Sequence, residues 1–191
     1  MILALALLAC TGSKDDTGPR DTSSDAPAAT TAWYFGTSDG QTPDGSYVAP
    51  TDEILFIRAL DPVASTVTES AWTVVRRTGA VSAYELVHSV DIATETFTST
   101  FVTADGTMDV NGGYDAGPDW VWTAWHSTSI YQDGTYAGTR VESVDHVDDA
   151  GVASAEKAVF DPDGTETWQM VEVLTPTDEA SFDARLAEVG G

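Results

Sequence analysis

The sequence predicts an all-β fold, an antiparallel meander of about eight strands with one C-terminal α-helix. Three observations carry that prediction. Apolar and Thr-rich runs are punctuated by turn dipeptides, at Thr78-Gly79, Asp105-Gly106, Asp133-Gly134, Ala150-Gly151 and Asp163-Gly164. Large residues recur at every second position, as successive strand side chains point to opposite faces: Tyr84, Leu86, His88 and Val90 share one face, as do Phe97 and Phe101. Most of the runs are joined by very short connections, which antiparallel neighbours allow and parallel ones do not.

Taken in order, the runs place strands at about 53–60, 66–77, 81–90, 96–103, 119–131, 136–147, 153–160 and 165–174. In the fifth, Trp120, Trp122, Ala124 and Ile130 are expected on one face and Trp125 on the other. The helix follows. Thr175-Pro176-Thr177-Asp178-Glu179 supplies capping side chains, a proline for the first turn and carboxylates for the positive end of the dipole. Phe182, Leu186 and Val189 form its apolar stripe.

A meander of this length either closes into an up-and-down barrel, which removes exposed edges, or folds into a β-sandwich. Closure is the favoured expectation. Eight strands with a trailing helix, opened by Trp33-Tyr34-Phe35-Gly36, resemble the lipocalin-like (calycin) barrels over residues 32–191. That resemblance implies a barrel whose interior takes a small ligand.

The chain has 191 residues, 42% hydrophobic and 9% aromatic, enough for one domain with a substantial core. Its 31 acidic residues against 8 basic ones give a formal charge of −23. The six arginines are scattered, so phosphate neutralisation and hence nucleic-acid binding are disfavoured. Such a surface stays soluble and suits salt-rich surroundings, where repulsion between carboxylates is screened.

The first ten residues are an apolar run ending Leu7-Leu8-Ala9-Cys10, which resembles the lipobox of bacterial lipoproteins. The resemblance implies a signal peptide over residues 1–9, cleaved so that Cys10 carries the acyl chains that hold the protein to the membrane. Residues 11–31 contain no large apolar side chain and are expected to form a disordered polar linker, leaving residues 32–191 as the β-rich domain. Thr11, where an inner-membrane retention signal would place Asp, favours the outer membrane of the cell envelope. Cys10 is the only cysteine, so no disulfide is expected within the chain.

Three tryptophans fall within six residues, at Trp120, Trp122 and Trp125. In a barrel, Trp120 and Trp122 with His126 would face the lumen, and Trp72, Tyr84 and Trp168 could join them in a wall for a flat or apolar ligand. The same aromatics would serve equally as core filling, and the two readings stay open. His88, His126 and His146 lie on separate strands with no spacing that requires a metal site. Asp161-Pro162-Asp163-Gly164-Thr165-Glu166 has the oxygens of a calcium loop but reads first as a hairpin turn. No nucleophile elbow, zinc-peptidase motif or phosphate loop is present, so no catalytic residue, metal or cofactor is assigned. The expectation is a non-catalytic envelope lipoprotein binding a small hydrophobic or aromatic ligand. The alternatives are a ligand-free structural or protein-interaction module and, last, an envelope hydrolase.

Overall fold

The computed structural model describes residues 28–117 and 120–190; the segment containing Cys10 lies outside them. Ten antiparallel strands follow one another around a closed barrel: β1 (Thr30–Gln41), β2 (Asp52–Asp61), β3 (Thr66–Val75), β4 (Ala80–Asp91), β5 (Thr96–Thr103), β6 (Gly106–Ala116), β7 (Trp122–Tyr131), β8 (Arg140–Val147), β9 (Ala153–Phe160) and β10 (Glu166–Thr177). β1 pairs with β10 from Trp33↔Thr177 to Gln41↔Gln169, and that ladder closes the barrel. The meander, its closure and the terminal helix agree in general with a lipocalin-like barrel, and the sandwich is excluded by the closed strand order.

The strand count is ten, not about eight, because β1 and β6 were not expected. Both carry turn-like residues inside the strand: Gly36 and Asp39-Gly40 in β1, Asn111-Gly112-Gly113 in β6. Gly112 is there for space, since a Cβ at that position would run into the Phe97 ring and the His126 carbonyl. The expected strand at 136–147 starts only at Arg140, since residues 132–139 form the β7–β8 turn.

Alternate side chains point inward and make the core: Ile54, Phe56 and Leu60 from β2, Val67 and Ala71 from β3, Val90 from β4, Phe97 from β5. The large residues crowd toward one end. There Phe97, Tyr114, Trp120, Trp122 and Trp125 form an aromatic plug, with Tyr114 and Trp122 stacked at 4.2 Å between ring centroids. Trp120 caps it from a left-handed backbone conformation, φ 60°, and its indole N–H donates to the Tyr114 hydroxyl at 3.2 Å.

The helix α1 (Glu179–Val189) starts at Asp178, whose carboxylate accepts from Ser181 N. Pro176 is therefore not in the first helical turn as expected: it belongs to β10, paired with Tyr34 of β1. The helix lies on the outer wall. Phe182 is fully buried, against Phe35 at 6.1 Å and Trp72 at 5.9 Å, and Arg185 holds Glu53 of β2 through two hydrogen bonds of 2.8 and 2.7 Å.

The wall has one seam. β4 and β5 share only three register pairs, Ser89↔Thr98, Val90↔Phe97 and Asp91↔Thr96, whereas β3 and β4 pair along ten residues. Beyond Ser89 the two strands diverge toward the end opposite the plug. Side chains bridge that part: Ser99 Oγ lies 3.1 Å from His88 Nδ1, and the Tyr84 and Phe101 rings are 5.5 Å apart.

Candidate functional site

Above the plug the barrel is not filled. A cavity of about 280 Å³ remains, walled by Phe56, Phe97, Trp122 and Trp125 on the plug side and by Tyr84, Phe101, Met108, Tyr131 and Met170 toward the far end. That is room for a ligand of roughly one fused bicyclic ring system, at the lower end of small-molecule pockets.

The middle of the cavity is polar, and each polar side chain arrives on the inward phase of its strand. Arg58 of β2 faces Glu69 of β3 as a register pair, with Nε and Nη2 donating to Oε1 at 2.9 and 2.5 Å. Burial alone would push the Glu69 carboxyl up, but the Arg58 charge and the neighbouring His88 hold it well below the usual carboxylate range. Lys157 of β9 donates to Glu172 of β10 at 2.6 Å. Here too burial opposes the charge and Glu172 prevails, so the ammonium is held above its ordinary value.

Asp145 of β8 is different. It is 9% exposed, lines the cavity, and has as its hydrogen-bond partner the Ser143 hydroxyl, which donates at 2.6 Å. No cation lies within ion-pair distance of it among the described residues. Burial pushes its carboxyl up to about 6, with the Ser143 bond and the charge of Lys157 pulling the other way. On the plug side, the Trp122 indole N–H is buried and has no acceptor among the described residues.

His88 is buried, with Ser99 Oγ 3.1 Å from its Nδ1 and Glu69 Oε2 3.6 Å from its Nε2. Hydroxyl, imidazole and carboxylate in that order resemble an activated nucleophile. The carboxylate, however, is committed to Arg58 at shorter distances, and 3.6 Å is beyond a hydrogen bond. The chain is therefore best described as a polar belt that fixes Arg58, Glu69 and His88 across three strands.

Of the side chains expected at a ligand wall, Tyr84 and Trp122 line the cavity. Tyr84 is 38% exposed because it borders the β4–β5 seam, yet burial in the lumen pushes its hydroxyl up to about 12. Trp120 is buried in the plug beneath the cavity. Trp72 lies outside the barrel under α1, and Trp168 packs near Gly40 and Tyr47 at the end opposite the plug without lining the cavity. His126 does not face the lumen. A β-bulge between Ala116↔Trp122 and Asp115↔Ala124 inserts Thr123 and inverts the phase of β7, so that Trp125, Ser127, Ser129 and Tyr131 turn inward while His126 and Ile130 turn out.

His146 bonds to Ser154, and no group of three His, Cys, Asp or Glu side chains gathers among the described residues. The Asp161–Glu166 segment is the β9–β10 turn: Gly164 has φ 86°, and Asp163 accepts from Thr165 N, which lowers its carboxyl below the ordinary value. Arg58, Glu69, Asp145, Lys157 and Glu172 were not anticipated as site residues. A signal existed. Lys157 is one of only two lysines and shares a strand face with Ala153 and Ala155, just as Arg58 alternates with Phe56 and Leu60.

No protein-family model matches the chain, and no curated protein matches it. Among solved structures, a tesB protein of Mycobacterium avium subs paratuberculosis is similar at 6% identity and a TM-score of 0.22, over 78% of this chain and 79% of that one.

Proposed function

We propose that this chain is a cell-envelope lipoprotein, anchored through Cys10, whose barrel holds a small hydrophobic or aromatic molecule in its lumen without reacting with it. The observation that carries the reading is the cavity of about 280 Å³ above an aromatic plug, in a barrel whose wall is closed by ladders everywhere except along the β4–β5 seam. Flat apolar surface against Phe97, Trp122 and Trp125 would supply most of the affinity, at about 25 cal/mol per Å² buried.

Membrane attachment follows from the Leu7-Leu8-Ala9-Cys10 segment, and Thr11 favours the outer membrane. Replacing Cys10 with Ala should abolish acyl incorporation and release the protein from the membrane fraction. Continued membrane partition would overturn the anchor.

The carrier reading is tested by native mass spectrometry of the protein purified from an envelope-competent host, followed by organic extraction. A stoichiometric small molecule supports it and identifies the ligand class. A bare protein mass, together with failure to bind added aromatic compounds, would replace it with a ligand-free interaction module whose acidic surface serves salt-dependent docking.

A further inference from the structure

The cavity carries more carboxylates than cations. Its lining contains three carboxyl groups, Glu69, Asp145 and Glu172, and two permanent cations, Arg58 and Lys157. Each cation is already matched, Arg58 to Glu69 and Lys157 to Glu172. Asp145 is the carboxylate left over, more than nine-tenths buried, with the Ser143 hydroxyl as its donor.

Its surroundings suit a positive ligand group. Asp145 is the cross-strand register partner of Trp125, and the Trp125 ring already holds one cation, with Arg58 Cζ 3.8 Å from its centroid. The Trp122 ring lies in the same lining and offers a flat apolar face to the ligand body. A buried carboxylate without a cation is costly, and a bound cation removes that cost.

We infer that the lumen selects a protonated amine on a flat aromatic or apolar body, with the ammonium on Asp145 and the body against Trp122, Trp125 and Phe97. The inference rests on the carrier reading and deepens it: it assigns the charge of the ligand and the residue that reads that charge. An anionic ligand would face Asp145 with no free cation to receive it. A neutral one would leave Asp145 as it stands. Burial of Asp145, which pushes its carboxyl up to about 6, is consistent with a group that gains from a cationic partner.

Three compounds with the same indole body separate the possibilities: tryptamine, a cation; tryptophol, neutral; and indoleacetate, an anion. Calorimetric titration at neutral pH uses the full chain carrying Cys10→Ser, so that no acyl chain competes. Tryptamine should bind at least about tenfold more tightly than tryptophol, with indoleacetate weakest. In Asp145→Asn, which keeps the side-chain shape, tryptamine should fall to within about threefold of tryptophol.

Tryptophol or indoleacetate binding as tightly as tryptamine would overturn the amine assignment and leave the carrier reading standing. A tryptamine advantage that persists in Asp145→Asn would overturn the role of Asp145. Failure of all three to bind overturns the assignment outright, and native mass spectrometry then decides the carrier reading separately. The comparison of the three probes on the Cys10→Ser chain holds even if Asp145→Asn does not fold.

Discussion

Arg58 is clamped between a ring and a carboxylate: its Cζ sits 3.8 Å over the Trp125 ring while its Nε and Nη2 both donate to Glu69 Oε1. The pair ties β2 and β3 to β7 across the barrel. Because Arg58 is buried and Glu69 largely so, removing one leaves the other charged without its ion-pair partner in a low-dielectric site. Arg58→Met should therefore destabilise the fold by about 3–5 kcal/mol in urea denaturation, whereas Arg58→Met combined with Glu69→Leu should recover most of the loss. Equal destabilisation by the single and double variants would show that the packing over Trp125, not the charge, is what matters.

Asp145 gives the fold a pH dependence opposite to that of most acidic groups. Its carboxyl stands at about 6 when folded against an ordinary 3.8, so between those values the folded state binds the extra proton. Stability therefore falls as pH rises from about 4 to about 6, by on the order of 3 kcal/mol. Glu69 works the other way: its folded carboxyl is held low, so its contribution is present above about 4.5 and lost on acidification. The difference between the melting curves of the native chain and Asp145→Asn isolates the Asp145 part. A difference that is flat from pH 4 to 7 would contradict the assignment.

Phe182 is the one residue of the helix that is buried. It is fully buried between Phe35 and Trp72, and Leu55 beneath it is also fully buried. Phe182→Ala should cost about 3–5 kcal/mol and expose an apolar strip over β1 to β3. Circular dichroism would show helix loss before loss of the barrel, with increased binding of a hydrophobic dye. A loss below about 1 kcal/mol would mean that the helix contributes little to the fold.

The short ladder between β4 and β5 leaves those amides of residues 80–88 and 99–103 that point across the seam without a partner, while the alternate ones are held by β3 and β6; β6 and β7 pair over nine register positions. Hydrogen exchange should be faster in peptides covering 99–103 than in those covering 108–114 by a factor of at least about ten. Slowing at this seam on ligand addition would identify it as the part of the wall that responds to filling of the lumen. Uniform protection around the barrel would contradict the seam.

Eight of the ten strands were legible because turn chemistry brackets them: Asp-Gly and Ala-Gly dipeptides mark ends whatever the strands pack against. β1 and β6 were hidden by glycines that serve tertiary space, such as Gly112 against Phe97, and tertiary space does not appear in a local pattern. Trp122 and Tyr84 were placed at the lumen by simple alternation, which holds while a strand is regular. His126 was misplaced because one inserted residue, Thr123, inverts everything after it. The charged lumen was missed for a different reason. Charged residues on a strand read as its solvent face, and only pairing across neighbouring strands, Arg58 with Glu69 and Lys157 with Glu172, makes them tolerable inside.

The central claim is that the lumen is a binding site, and the Trp122 indole reports on it directly, because its side chain lines the cavity. Titration of indole into the isotopically labelled protein, followed by the Trp122 indole N–H resonance, should show a saturable one-to-one shift. The shift should vanish in Ser129→Phe, which fills the cavity from β7. An unmoved Trp122 resonance, or the same saturable shift in Ser129→Phe, would contradict the account.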